Sequence, residues 1–356
     1  MKKKMQYIIL ICILLLTGCG SGTKQNKIEA DVNATVENIP SETKEFFSMD
    51  TYMTVTAYGL NAKKVVKQAQ TRVEQLDDRL SVGKDDSEVS ELNNTSKAKL
   101  SGDTFYLMSR ALEICDTTDG AFNPAIYPLM ELWGFTTGEY KVPTKSERQK
   151  KLANMNPQNI KLFENTNEVT FANKGMKVDF GGIAKGYASA EIMNIFRENG
   201  IESGMVSLGG NVQVLGSKTD GSLWRVAIQN PETEKDYLGI LEIRDKAVIT
   251  SGGYERYFEQ NGKVYHHIID PFTGVPAENG LKSVTIVSED GVLADGLSTA
   301  LYVMGTESAK KFWMSHSDEF DVVLLTEDEK LYVSEGIEDS FETDYDVNII
   351  QSGKLR

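Results

Sequence analysis

Between residues 205 and 287 the chain breaks into seven short apolar stretches, and this succession constrains the fold more than any other feature. The stretches are 205–208, 212–215, 223–229, 238–243, 248–251, 263–269 and 283–287, each with the length and composition of a β-strand. Further strands are expected at 51–58, where polar and apolar residues alternate, and at 176–180. Two pairs are expected as well, 160–163 with 168–171 around an Asn-rich turn, and 322–326 with 330–333. Helices interrupt the strands. Val66, Ala69, Val73, Leu76 and Leu80 recur at 3-4-3-4 spacing, the stripe of an amphipathic helix. Others are predicted at 104–117, at 124–134 behind Pro124, at 143–155, at 183–199 ahead of Gly200, at 293–304 and at 307–316. The pattern predicts an α+β protein with largely antiparallel sheets flanked by helices.

The N-terminus reads differently. Lys2, Lys3 and Lys4 precede an apolar run at 8–16, which is broken only by Cys12 and followed by Leu16-Thr17-Gly18-Cys19. This resembles a bacterial lipoprotein signal, in which the Cys is lipidated and becomes the new N-terminus. The run is short of the roughly 20 residues a membrane span needs; an uncleaved anchor helix is the alternative. Either way the bulk of the chain is expected outside the cytoplasm, on a cell membrane. Residues 20–44 are rich in Ser, Thr, Asn, Lys and Glu and bury too little apolar surface to offset chain entropy. The expected division is a signal peptide at 1–18, lipidated Cys19 and a flexible tether at 19–45, a folded domain at 46–340 and a C-terminal tail at 341–356. Cys115, among Ala111, Leu112 and Ile114, is expected as a buried thiol with no disulfide partner.

The full chain carries a net charge of −14, and loss of the three N-terminal lysines makes it three units more negative. This argues against nucleic acid as a partner. A phosphate ligand would need a bound cation or local donors to offset the repulsion.

Glycines and polar residues interrupt the apolar elements at four places. Val178-Asp179-Phe180-Gly181-Gly182-Ile183-Ala184-Lys185-Gly186-Tyr187 reads as strand, glycine turn and helix start. The amides of such a start attract an anion, and Lys185 adds charge. Neither a Walker loop nor a dinucleotide fingerprint is present. In Ala294-Asp295-Gly296-Leu297-Ser298-Thr299-Ala300, Asp295 and Thr299 lie one helical turn apart, a plausible oxygen site for Mg2+. An N-cap role for Asp295 is the plainer alternative. His266-His267-Ile268-Ile269-Asp270-Pro271-Phe272-Thr273-Gly274 ends a strand in a turn, where adjacent histidines point to opposite faces and make a poor zinc site. Thr118-Asp119-Gly120-Ala121-Phe122-Asn123-Pro124 is a loop ahead of a helix. Each of the four could also be a turn that merely packs.

Taken in series with Ser207-Leu208-Gly209-Gly210-Asn211, these motifs resemble the ApbE family of FAD:protein FMN transferases, over residues 46–333. The resemblance implies an ApbE-type fold and a Mg2+-dependent enzyme that splits FAD. It implies transfer of FMN to a Thr or Ser of a partner protein through a phosphoester, with release of AMP. It also implies roles for particular residues. Asp295, Thr299 and the Gly182 carbonyl would hold Mg2+, family members often carrying Ala at that third position. Met49, Ala121, Phe122, Asn123, Asp179, Lys185 and Ile269 would contact FAD. His267 would stand near the transferred phosphoryl group as general base or hydrogen-bond donor. Many relatives have a ligand-holding Tyr in the stretch Arg79-Leu80-Ser81-Val82-Gly83, where Val82 stands here. Acceptors in the family resemble Asp-Gly/Ser-x-Ser/Thr-Gly/Ala-Ala-Ser/Thr. The segment beginning at Asp295 echoes that pattern, but Leu301 occupies the acceptor position, so no self-flavinylation is expected. The expected partners are FAD and an acceptor such as a membrane redox subunit or a secreted flavoprotein. Other readings are an FAD pyrophosphatase, a flavin-binding lipoprotein without turnover, and a generic solute-binding lipoprotein.

Overall fold

The strand-like stretches assemble into one nine-stranded sheet in this computed structural model, which describes residues 39–233 and 236–353. Cys19, the signal and most of the expected tether lie outside the described residues. The order across the sheet is Ser41–Ser48, Thr51–Tyr58, Ser203–Leu208, Asn211–Leu215, Ala247–Gly252, Leu281–Ser288, Asp321–Thr326, Leu331–Ser334 and Val347–Ile350. Neighbours run antiparallel except the last pair, which is parallel.

Side chains alternate across this sheet and serve two cores. Val284, Ile286, Val322 and Leu324 face a layer of helices, which includes Ala62–Leu80, Ala184–Glu198, Gly291–Met304 and Thr306–Ser315. Val287, Val323 and Leu325 face the other way, onto Trp224, Val226 and Leu241 of a three-stranded sheet. That sheet is made of Trp224–Gln229, Tyr237–Ile243 and Phe341–Glu342. Burial on both faces explains why Asp321–Thr326 reads as a continuous apolar run. The helix stripe is as the spacing predicts: Val66, Ala69, Val73, Leu76 and Leu80 are all buried. Cys115 is buried and free. No helix among the described residues is long and apolar enough to cross a membrane.

Several elements depart from the sequence reading. Residues 176–180 are not a strand: the Asn93 side chain donates to the Val178 carbonyl (2.9 Å) and accepts its N–H (2.7 Å), replacing a strand neighbour. The strand expected at 263–269 stops at His266 and pairs with Tyr257–Gln260. Behind Pro124 the helix begins as a 3-10 turn, Pro124–Ile126, and continues as Tyr127–Trp133 until Gly134 turns left-handed. Ser41–Ser48 begins inside the stretch read as tether, and Phe341–Glu342 and Val347–Ile350 lie in the stretch read as tail. All three are edge strands, which need little apolar content to pair with one neighbour.

The register brings several turns to one end of the large sheet. Met53 pairs with Leu208 and Leu208 with Asn211, so the Met49-Asp50 and Gly209-Gly210 turns are side by side. Val248 pairs with Val212, so the chain from Thr250 to Gly252 runs out at that same end.

Candidate active site

The first turn is backbone-strained. Met49 (φ +47°) and Asp50 (φ +59°) both adopt left-handed conformations, a hairpin form that ordinarily uses Asn-Gly. A methionine is held there by the pairing of all eight residues of Ser41–Ser48 with Thr51–Tyr58. Its side chain is half-buried against the helix-side core. In the adjacent turn Gly209 (φ +61°) comes so close that a Cβ would lie 2.4 Å from Thr51 Oγ1. Only glycine lets the two turns nest.

The second component is a close helix crossing. A Cβ on Gly186 would lie 2.1 Å from the Gly291 carbonyl oxygen and 2.7 Å from Asp295 Cβ. This contact seats Asp295 on the first turn of Ala184–Glu198: its Oδ2 accepts the Gly186 N–H at 2.8 Å, and its Oδ1 accepts from Asn211 Nδ2 at 3.0 Å. The amides expected to draw a ligand anion therefore hold Asp295 instead. Nor does Asp295 cap its own helix; Asp290 does, accepting from Val292 and Leu293. Thr299 lies one turn further on, its Oγ1 3.4 Å from Ser251 Oγ, which also bonds Ser298 at 2.7 Å. A Cβ on Gly182 would stand 3.5 Å from Thr299 Oγ1 and 3.0 Å from the Phe122 ring. Gly182, Thr299 and Phe122 are thus neighbours. Asp179 Oδ1 accepts the Gly181 N–H at 2.7 Å and closes the glycine turn.

His267 sits just past its strand. Its backbone N–H (3.0 Å) and its Nδ1 (3.1 Å) both engage the Arg256 carbonyl, which fixes the proton on Nδ1 and leaves Nε2 as an acceptor. Burial, then the charge of Arg256, pulls its pKa down to about 3, so the ring is neutral at ordinary pH. His266 faces elsewhere, bonded through Nε2 to the Ala277 carbonyl and packed edge-on against Tyr302. The expectation of opposite directions holds although the strand ends between the two. Ile269 is buried and bridges to Pro276. Asp270 ties the following turn through Phe272 N–H and Thr273 Oγ1.

In the 118–124 loop, Asp119 (φ +49°) and Gly120 (φ +84°) turn the chain so that Ala121 and Phe122 are buried. The Asn123 side chain is committed to structure: it accepts from Ala125 N–H and donates to the Met155 carbonyl. Only its backbone is free to meet a ligand. Val82 packs on the helix-side core. A cavity of about 150 Å³ lined by Trp133, Arg148, Tyr265 and Val275 holds none of these residues.

Electrostatics unites the parts. The positive charge of Lys185 acts on Asp179, Asp295 and His267, and that of Arg256 on Asp179 and His267. Both also act on Glu255, which sequence reasoning passed over. Burial raises the pKa values of Asp179 and Asp295, and raises that of Glu255 to about 7. The signal available in the sequence was a carboxylate directly after the Ser251-Gly252-Gly253-Tyr254 turn. Three enclosed acids against two cations leave room for a divalent ion. One carboxylate, a threonine hydroxyl and a nearby backbone make an all-oxygen donor set that suits Mg2+ better than zinc. No group of three or more His, Cys, Asp or Glu with metal-binding geometry occurs among the described residues.

With this arrangement described, comparison with known proteins is direct. The ApbE family model matches residues 49–324. The chain belongs to the ApbE family. A Klebsiella pneumoniae FAD:protein FMN transferase is 34% identical over 266 residues, 74% of this chain and 82% of that protein. A Vibrio cholerae protein of the same description is 32% identical over 84% of this chain and 87% of its own length. Among solved structures, the ApbE protein of Thermotoga maritima superposes with a TM-score of 0.80 at 29% identity, covering 85% of this chain and 99% of that one. The Vibrio cholerae flavin transferase ApbE gives 0.75 at 29% identity, covering 85% and 100%. The α+β architecture expected from the sequence is that of these ApbE flavin transferases.

Proposed function

We propose that this chain is a FAD:protein FMN transferase, joining the FMN phosphorus of FAD to a Thr or Ser hydroxyl of a partner protein and releasing AMP. The observation that carries the reading is the convergence of Asp295, Thr299 and Gly182 with Lys185 and a neutral His267 at one end of the sheet. Asp295, Thr299 and the Gly182 carbonyl would hold Mg2+, which when bound would screen the pyrophosphate and polarise a phosphoryl oxygen.

The chain's own residues do the rest. Lys185 places a positive charge beside a pyrophosphate. Met49, Ala121, Phe122, Ile269 and the Asn123 backbone wall the flavin, and Asp179 accepts hydrogen bonds from it. His267 offers Nε2 to a donor near the reacting phosphorus. Positioning and electrostatics supply most of the acceleration in phosphoryl transfer. In the same reading Cys19 carries lipid and anchors the enzyme to the cell membrane on the extracytoplasmic side. The acceptor is then a membrane redox subunit or secreted flavoprotein bearing the family's Thr/Ser motif.

The test is incubation of the full chain, in detergent, with FAD, Mg2+ and a peptide carrying that motif, followed by mass spectrometry. FMN-minus-water on the peptide, lost in Asp295→Ala, supports the proposal. Release of FMN and AMP without adduct replaces it with a pyrophosphatase. FAD bound and unchanged replaces it with a flavin carrier.

A further inference from the structure

Glu255 is an acid that the ligand contacts above leave without a task. It lies on the 251–256 loop, which joins the two halves of the site. At one end of the loop Ser251 Oγ touches Thr299, and at the other the Arg256 carbonyl holds His267. The loop has little freedom. A Cβ on Gly252 would lie 2.2 Å from the Tyr254 ring, and one on Gly253 would lie 2.8 Å from the His266 ring and 2.9 Å from the Tyr302 hydroxyl. The Glu255 N–H closes a turn onto the Gly252 carbonyl. The position of Glu255 is therefore set by packing on both sides.

Its carboxylate has no hydrogen-bond or ion-pair partner among the described residues, although solvent reaches it and protein encloses it on most sides. That combination marks the wall of a cleft. An enclosed acid without a partner is unfavourable in the folded chain alone. The charges that face it come from three elements: Lys185 at the start of Ala184–Glu198, Asp295 on Gly291–Met304, and Arg256 on its own loop. All three belong to the site.

We infer that Glu255 is a catalytic residue, the base that receives the proton of the acceptor hydroxyl as that oxygen attacks the FMN phosphorus. This rests on the transferase reading above. The acceptor O–H bond breaks, its oxygen forms the new P–O bond, and the bridging P–O bond breaks with its electron pair leaving on AMP. The proton passes to a Glu255 carboxylate oxygen and from there to solvent or AMP. His267, neutral with only Nε2 free, then serves as a hydrogen-bonding and positioning group. A base half-ionised near neutral pH is better matched to this transfer than a ring that protonates only in strong acid.

The test compares the full chain with Glu255→Gln and Glu255→Asp in single-turnover transfer from FAD to the motif peptide, with Mg2+, across pH 5.5–9. Retention of FAD by each variant is measured separately. The wild type should lose rate on the acid side near pH 7. Glu255→Gln should retain FAD, transfer roughly 10²–10⁴-fold more slowly and lack the acid limb. Glu255→Asp should recover part of the rate and keep a limb, and it carries the test alone if the glutamine variant does not fold. A glutamine variant that transfers at the wild-type rate, keeps the limb, or loses FAD in step with its rate overturns the assignment. A wild-type chain that forms no adduct overturns the transferase reading and the assignment with it.

Discussion

Replacing Gly186 with Ala should damage the site more than the fold. The added Cβ would lie 2.1 Å from the Gly291 oxygen and 2.7 Å from Asp295 Cβ. Carbon and carbonyl oxygen rest about 3.3 Å apart or more, so the helices must separate by roughly 1 Å. Overpacking of this kind costs about 1–3 kcal/mol. Ala in place of Gly within a helix returns up to about 1 kcal/mol. The net loss should be about 1–2 kcal/mol, read as a lower urea midpoint at unchanged slope. Asp295 moves with its helix, and a shift of about 1 Å in a positioned group can cost roughly 10²-fold in rate. Transfer to the motif peptide, measured well below the melting temperature, should fall by that order while the chain remains folded. A variant as stable and as active as the wild type would refute the claim that this crossing sets the position of Asp295.

Other residues give further tests. Asn93→Ala leaves the Val178 N–H and carbonyl without partners and should cost roughly 2–4 kcal/mol in urea unfolding; a loss under 1 kcal/mol would mean water replaces the side chain. Because the folded pKa of His267 lies below that of an unfolded histidine, its contribution is present above pH 6.5 and lost as pH falls toward 3. His267→Gln should therefore lose less stability than the wild type across that window, and equal losses would contradict the stated burial. Glu255 has the opposite sign: its folded pKa is raised, so stability is lost as pH rises from 4.5 through 7. Glu255→Gln should melt higher than the wild type at pH 8 but not at pH 4. Cys115 has its thiol pushed up to about 11 by burial. With Cys12 and Cys19 replaced by Ser, the native chain should resist alkylation at pH 8 and react only on unfolding.

Much of this molecule is legible in the sequence because its core strands and helices carry their own periodicity. The stripe from Val66 to Leu80 and the run from Val322 to Thr326 are buried as expected. Edge strands are not legible in this way. Ser41–Ser48 contains one buried residue and resembles a linker until its neighbour is known. The stretch 176–180 misleads for a different reason: its hydrogen bonds go to an asparagine 85 residues away, and no local pattern encodes that. At the site, the motifs located Asp295, Thr299, Gly182 and His267, but not their partners. Which anion would meet the Gly186 amide, and that Arg256 would hold His267 through its carbonyl, are tertiary facts. Glu255 was invisible because a carboxylate beside a glycine turn looks like ordinary loop composition.

The direction of the first strand has a consequence for how the molecule is presented to its surroundings. The chain enters the sheet at Ser41 and reaches the Met49 turn eight residues later. At ~3.3 Å per residue, that strand carries it about 25 Å along the sheet. Whatever is joined ahead of Ser41 is therefore fastened at the end opposite the reactive mouth. A surface, bead or fusion partner attached there would leave the mouth pointing outward, free to meet a second protein approaching from the open side.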